Sequence, residues 1–309
     1  MSSCAIQINI ENCKNACLFC NPNGFTDSDE KNNSAIIIDI YKQAIDLSKK
    51  GFIDVEISGH DPIQFKHIIT FMTWLRHIGF EQILLLTHGR TLYNLKFVKR
   101  LSRIANLTLM IPLYGSQERI HDSVTNSVGS FKETLQGIKN LKKLAPHIQL
   151  RLHTLIMKEN ICDVENILHL FLKLKPSQIL VRPAFISINS FSQKSAVPYT
   201  SMIPVVRQAF AFCKKNFQDI FVFSDIPSCV FGFYDHHIVN GSVPTMASNY
   251  SVPGIHKTEM HGIPTYRLKQ KLKICSECTY NDHCDGFLKD YVERFNMEQD
   301  VTIKPLIIY

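Results

Sequence analysis

The sequence predicts a parallel α/β fold, a partial (βα)6 TIM-like barrel, with a small C-terminal cysteine-rich domain. Three observations predict it. Short, nearly continuous apolar runs alternate with helical patterns about six times, and continuous apolar strands mark a parallel sheet buried on both faces. The chain has 309 residues, 45% apolar and 20% charged, enough for one large α/β domain or a large domain with a smaller one. Ten cysteines are present, and most fall into two tight groups near opposite ends of the chain.

The strand candidates are Ile6–Ile10, Val55–Ser58, Ile83–Thr87, Leu107–Leu113, Leu150–Leu155 and Ile179–Arg182. Helical spacing fills the intervals near 36–50, 64–78, 92–105, 131–144 and 163–174. In the fourth of these, Phe131, Leu135, Ile138 and Leu141 share one face, and Ser130 with Glu133 reads as a capping box. After about Pro198 the rhythm weakens. A helix near 202–216 and a strand near Ile220–Phe223 come next, and 232–265, rich in Gly, Pro, Ser, His and Tyr, reads as a long loop. The chain thus divides into a core of 1–200 and a C-terminal unit of 201–309. In such folds ligands sit at the C-terminal ends of the strands.

Several classes are set aside. No run approaches the 18 apolar residues of a membrane span, and Met1–Ile10 has neither the basic region nor the apolar run of a signal peptide. The expectation is a cytoplasmic protein. In that reducing compartment, clustered cysteines point to metal rather than disulfides. The formal charge is +7, falling to about +4 if the two groups carry clusters on three and four thiolates. Lys142-Lys143 and Lys269–Lys273 read as solvated faces, and nucleic acid is not an expected partner.

Cys13, Cys17 and Cys20 come after the first strand with spacing C-x3-C-x2-C. Three close thiolates can hold three irons of a 4Fe–4S cube and leave the fourth iron open, which is what a catalytic site needs. The alternative is structural zinc, which prefers four ligands, commonly paired as C-x2-C. In the tail, Cys275, Cys278 and Cys284 give C-x2-C-x5-C, and Cys229 is the choice for a fourth thiolate. Zinc and iron–sulfur share thiolate ligands, so both stay open here. Cys4 is an outside candidate. Cys162 and Cys213 fall in helical patterns and read as small core residues.

The triplet, with Phe19 before its last cysteine, resembles the signature of the radical S-adenosylmethionine (radical SAM) superfamily. Further segments resemble that family in its order. Ser58-Gly59-His60-Asp61-Pro62 resembles its Gly-Gly-Glu-Pro turn, with Ser58 in place of Gly and His60-Asp61 in place of Glu. Leu86-Thr87-His88-Gly89 resembles its Thr-Asn-Gly segment. Ile111–Gly115, His121-Asp122 and Gly129–Phe131 resemble its fourth strand and the segment after that strand, and Arg151–Thr154 resembles its fifth strand. The tail resembles the SPASM and twitch auxiliary-cluster extensions, in the shorter form, because Leu288 stands where a full SPASM pattern has cysteine.

The resemblance implies a 4Fe–4S cluster on Cys13, Cys17 and Cys20 that cleaves S-adenosylmethionine reductively, so that a 5′-deoxyadenosyl radical abstracts hydrogen from a substrate. It implies cofactor contacts from Phe19, Ser58, Gly59, Asp61, Pro62, Thr87, Tyr114, Arg151 and His153, with the fifth strand facing the ribose. It also implies a second 4Fe–4S cluster on Cys229, Cys275, Cys278 and Cys284, and an electron donor such as flavodoxin or ferredoxin. Arg182, at the end of the sixth strand, would suit an anionic group on cofactor or substrate. His236-His237 could face substrate. The expected chemistry is oxidation, cross-linking or epimerisation, of a peptide first and a small metabolite second. A cysteine motif within 13 residues of Met1 leaves no room before it for a peptide-recognition module, which weighs against the peptide. The rival readings are methylation or sulfur insertion on RNA or a small molecule, and a non-catalytic zinc-stabilised protein.

Overall fold

A computed structural model describes residues 3–8, 13–20, 30–184, 194–240, 259–260, 263–264, 269–299 and 302–307. Strands β1 (Ser3–Ile8), β2 (Asp54–Gly59), β3 (Gln82–Leu86), β4 (Leu107–Pro112), β5 (Gln149–Ile156), β6 (Gln178–Pro183), β7 (Phe221–Ser224) and β8 (Ile238–Val239) pair in that order in one sheet. Every pairing is parallel. All eight C-terminal ends therefore share one edge. The crossovers carry helices α1 (Glu30–Lys49), α2 (Ile68–His77), α3 (Leu95–Leu101), α4 (Glu118–Thr125), α5 (Ser130–Leu144), α6 (Val164–Leu174), α7 (Tyr199–Asn216) and α8 (Ser228–Phe231). No helix among the described residues is long and apolar enough to cross a membrane.

The two-residue period of the strands separates the faces. Ile6, Ile57, Leu85, Leu109, Leu152, Val181 and Phe223 join the large core beneath the helices. Met110, Leu180 and Val222, with Leu84, Leu86 and Val239, form a small apolar cluster on the inner face. Polar inner-face residues alternate with these, so the interior is only partly apolar.

The six expected strands are present. Ile10, the end expected for the first, lies outside the described residues. The sheet then continues past residue 200 through β7 and β8. β8 falls inside the stretch read as loop; two residues are too short to show a period. The capping box is corrected. Ser130 is the first helical residue of α5, not its cap, and its hydroxyl donates to Asp122 Oδ1 at 2.7 Å. Asp122 also accepts the main-chain N–H of Gly129 (2.6 Å) and of Phe131 (2.8 Å). A carboxylate reaching over from α4 thus satisfies the helix start that Ser130 and Glu133 were expected to satisfy.

Beyond β8 lie two short antiparallel ribbons, β9 (Glu259–Met260) with β10 (Ile263–Pro264), and β11 (Lys269–Gln270) with β12 (Phe287–Leu288). Helix α9 (Lys289–Arg294) continues from β12. Aromatic residues fasten this tail to the barrel. Tyr291 donates its hydroxyl to Ala184 O at 2.7 Å, and the Tyr199 ring lies 5.3 Å from Phe287 and 5.1 Å from Tyr291.

Helix α5 seats the loop after β3. Thr134 Oγ1 donates to His88 O at 2.9 Å, and a Cβ at Gly137 would lie 2.4 Å from Gly89 O. That contact is main chain and cannot yield. Gly137→Ala is therefore expected to destabilise the chain by about 1–3 kcal/mol, as overpacking does, in urea unfolding at equilibrium. Gly129→Ala, whose Cβ would meet nothing within 4 Å, suffers only from its left-handed backbone, roughly 1–2 kcal/mol.

Candidate metal centres

The first centre sits at the C-terminal edge of the sheet, after β1. The cysteine loop is laid along the end of α4: the N–H groups of Ala16 and Leu18 donate to Thr125 O and Val124 O, both at 2.9 Å. Arg90 clamps it from the β3 side. Its Nη1 reaches Lys14 O (2.9 Å), Asn15 Oδ1 (2.7 Å) and Ser127 Oγ (2.7 Å), while its Nε donates to Glu133 Oε2 at 2.7 Å. The three thiols are thereby brought together. Burial, then the nearby Cys20 and Cys13, push the Cys17 thiol well above its ordinary pKa. Cys13 and Cys17 are half-buried and Cys20 is exposed. A thiol whose ionisation its two neighbours oppose fits a thiophilic cationic centre, which would reverse that opposition.

Phe19 turns into a small apolar cluster at the strand ends with Tyr114, Val124, Leu155, Met157 and Ala184. Its ring meets Tyr114 edge-on at 5.1 Å. Tyr114 is buried beside the cysteines, and its hydroxyl stands well above its ordinary pKa through burial first and the Cys17 and Cys20 thiols second. Its N–H donates to His121 Nδ1 at 3.1 Å, and Asn160 Nδ2 donates to its carbonyl at 3.0 Å.

The turns after β2 and β3 are joined by one buried carboxylate. Asp61 adopts a left-handed conformation, φ 52°, just before the turn that Pro62 opens. It accepts Thr87 Oγ1 at 2.5 Å, Gln64 Nε2 at 2.8 Å and the His88 N–H at 3.1 Å. His88 Nε2 lies 2.7 Å from Asp61 Oδ2. Burial alone would lower the His88 imidazole, but Asp61 outweighs it and raises the pKa to about 9. Burial alone would raise the Asp61 carboxyl, but His88, Thr87 and Gln64 outweigh it and hold it below the usual carboxylate range. The Asp61 carboxylate is thus engaged by these internal donors. Ser58 lies half-buried and Gly59 exposed at the same edge.

Arg151 and His153 on β5 and Arg182 on β6 project into the interior, each alternating with core-facing neighbours. His153 is half-buried, and its pKa falls to about 3, through loss of solvation first and then Arg182. Glu56 on β2 meets them from the opposite side. Burial lifts its carboxyl to about 7 against the opposing pull of Arg182 and Arg151. Asp225, after β7, lies 3.9 Å from Arg182 Nε and 2.9 Å from Lys269 Nζ; burial raises and the two cations lower its carboxyl, which stands at about 2.

The second centre lies at the same edge, beyond β7 and β8. Cys229 on α8 and Cys275, Cys278 and Cys284 from the tail line one cavity, with Tyr234, Asn240 and Lys271 among the other walls. Burial, then Cys284, Cys275 and Cys278, push the Cys229 thiol up. The four cysteines singled out in the sequence thus converge, a donor set suited to zinc or to an iron–sulfur cluster.

Other expectations change. Lys269 is no solvated residue: its side chain is 9% exposed and paired with Asp225. Cys162 is exposed in a short turn, Ile161–Asp163, rather than packed in the core; Cys213 is buried as expected. Cys4 is buried on β1 beneath the helices, away from both centres. His236 and His237 stand outside the barrel: His237 stacks on Phe221 at 4.1 Å and pairs with Asp235 at 2.6 Å. Arg90 and Glu56 were not anticipated. Arg90 comes directly after the segment matched to Thr-Asn-Gly, and Glu56 is the charged residue within the expected strand Val55–Ser58.

A parallel partial barrel with three clustered thiols at its carboxyl edge is the architecture of a protein with a metal site at its strand ends. The radical SAM superfamily model matches residues 10–171, and the chain belongs to that superfamily. Membership implies a 4Fe–4S cluster and S-adenosylmethionine binding. Among solved structures, the chain is similar to anSMEcpe with bound AdoMet and Cp18Cys peptide (TM-score 0.62, 11% identity, covering 98% of this chain and 92% of that one). It is also similar to SuiB of Streptococcus suis bound to S-adenosylmethionine (0.59, 10%, 99% and 76%) and to coproporphyrinogen III oxidase HemN from Escherichia coli (0.51, 14%, 69% and 52%). At these identities the likeness is one of fold. A comparison with curated proteins gave no match.

The Asp61–His88 pair gives a direct test of how the edge is held. Asp61→Asn leaves a buried imidazole without its carboxylate, and a loss of about 3 kcal/mol is expected. Urea melts of the reduced chain measure it; a loss below about 0.5 kcal/mol would show that the pair does not organise the edge.

Proposed function

We propose that the chain is a radical S-adenosylmethionine enzyme with a second, four-thiolate iron–sulfur cluster, and that it oxidises, cross-links or epimerises a peptide. The observation that carries this reading is the convergence of Cys229, Cys275, Cys278 and Cys284 on one cavity at the edge of the barrel that also holds Cys13, Cys17 and Cys20. Two redox-capable donor sets at one edge suit a substrate held between them that must lose electrons as well as hydrogen. SuiB has been captured with the precursor peptide SuiA and anSMEcpe with the Cp18Cys peptide. Those two chains share this chain's fold over nearly its whole length, which supports a peptide over a small metabolite.

Cys13, Cys17 and Cys20 would hold the first cluster, and the open position would take S-adenosylmethionine. When bound, that cluster supplies the electron that cleaves the sulfonium and starts hydrogen abstraction; a flavodoxin- or ferredoxin-like donor would supply it in turn. The chain's own residues bind and orient. Phe19 and Tyr114 wall the cysteine loop with apolar surface and exclude water from beside it. The Ser58–Pro62 turn, fixed by Asp61 and Thr87, offers main-chain groups to the methionine ammonium. Arg151 and His153 face the ribose, and His153, held neutral, suits a hydrogen bond to a hydroxyl. Arg182 places positive charge at the rim. Residues 1–200 would carry the cofactor and 201–309 the second cluster, with β7 and β8 shared between them.

Anaerobic reconstitution with iron and sulfide tests this. About eight irons per chain are expected, two four-iron clusters, with 5′-deoxyadenosine formed on adding dithionite and S-adenosylmethionine, and none from a Cys13/Cys17/Cys20→Ala variant. About four irons with activity would leave the first cluster and overturn the second. Zinc in both groups and no cleavage product would overturn the whole reading.

A further inference from the structure

We infer that Asn240 couples the C-terminal cysteine centre to the ion pairs of the barrel interior and sets that centre's reduction potential; this rests on the four-thiolate iron–sulfur reading. Asn240 comes directly after β8, at the C-terminal end of the last strand, and is buried. Its side chain is used at both ends. Nδ2 donates to Cys284 Sγ at 3.1 Å and to Gly286 O at 2.6 Å. Oδ1 accepts from Lys269 Nζ at 2.8 Å. Lys269 is the cation that pairs with Asp225, which in turn lies beside Arg182. One amide therefore touches a sulfur of the cavity on one side and the interior charge network on the other.

The local backbone is built to allow this. A Cβ at Gly286, φ 87°, would lie 2.2 Å from Gln270 O, so only glycine lets the chain after Cys284 close onto the β11 strand that carries Lys269. The Asp285 N–H donates to Asn240 O at 3.1 Å, and the Gly286 N–H points at Cys284 Sγ at 3.4 Å. Hydrogen bonds to a cluster's sulfurs stabilise the reduced, more negative state and raise the potential. The Asn240 donor is polarised in the same sense, because Lys269 pulls electron density toward Oδ1. Asn240 acts through Cys284 and is a positioning residue, not a catalytic one.

The test uses the full chain with Cys13, Cys17 and Cys20 replaced by Ala, reconstituted anaerobically, so that one cluster remains to be read. Its midpoint potential is titrated by absorbance and electron paramagnetic resonance, beside the same chain carrying Asn240→Leu or Asn240→Asp. Asn240→Asp keeps the shape and the acceptor for Lys269, loses the N–H donor and adds a negative charge beside Cys284, so its potential falls at least as far as that of the leucine variant, whose N–H loss is read without added charge. Full iron content with a more negative potential in both variants is expected. Full iron content with unchanged potentials would overturn the inference and leave the cluster reading standing. Zinc, with no iron taken up by the parent chain, would overturn the cluster reading itself, and the inference with it.

Discussion

Holding three thiols within reach of one another is an electrostatic burden, and the carboxyl edge of the sheet is organised around it. Cys20 and Cys13 oppose the ionisation of Cys17, and burial opposes it more. Unlike charges at about 4 Å gain on the order of 4 kcal/mol at an effective dielectric constant of about 20, and like charges lose as much. A short loop cannot hold such a geometry by itself. Arg90 and the ladder onto α4 fix its main chain, while the Asp61–His88 pair fixes the floor beside it and puts the His88 ring against Cys13. The His88 imidazolium thus meets Cys13 while Arg90 of the same loop holds the main chain beside it, and that loop is pinned by α5.

The same logic explains why parallel topology matters. All eight strands end at one edge, so successive βα turns are neighbours in space though dozens of residues apart in sequence. Lys14, Arg90 and Ser127 come from the segments after β1, β3 and β4, and the Arg90 guanidinium joins the other two. The tail then docks on the last two strands, where Tyr199 donates its hydroxyl to Asp225 O at 2.9 Å and Tyr291 reaches Ala184. These contacts carry the second cysteine group to the edge already occupied by the first.

Local signals made much of this legible. Continuous apolar strands and helical spacing displayed six βα units, and the two cysteine spacings named six thiols that, with Cys229 as the chosen seventh, fall into two spatial groups. What escaped is what tertiary contact decides. β8 is two residues long and gives no period. Ser130 looks like a cap because the cap, Asp122, lies in another helix. Lys269 sits in a lysine-rich stretch that has every local mark of a solvated face, and only its approach to Asp225 buries it. Cys162 has helical neighbours but sits in a turn that leaves it exposed. Glu56 and Arg90 are ordinary charged residues until the sheet closes and turns one inward and sets the other over the cysteines.

The buried charges of the interior are the feature that stability explains least. Glu56 is buried, and Arg151, Arg182, Asp225 and Lys269 are half-buried, on the face of the sheet that also carries Met110, Leu180 and Val222. Desolvating a charge costs several kcal/mol, and a buried ion pair replaced by packed apolar residues commonly leaves a protein as stable or more so. A barrel needing only to fold could therefore have filled this space with Leu and Ile. Moreover, the charges are incompletely matched: Glu56 is lifted to about 7, so its proton is held loosely near neutrality, while Asp225 stays ionised between two cations. A network with one fixed anion, one titrating carboxyl and two inward arginines is tuned to position polar groups and to accommodate a change of charge beside it. Through Lys269 and Asn240 the network is joined to Cys284 of the second cysteine group, so its charges act on a metal-ligating site and not on packing alone.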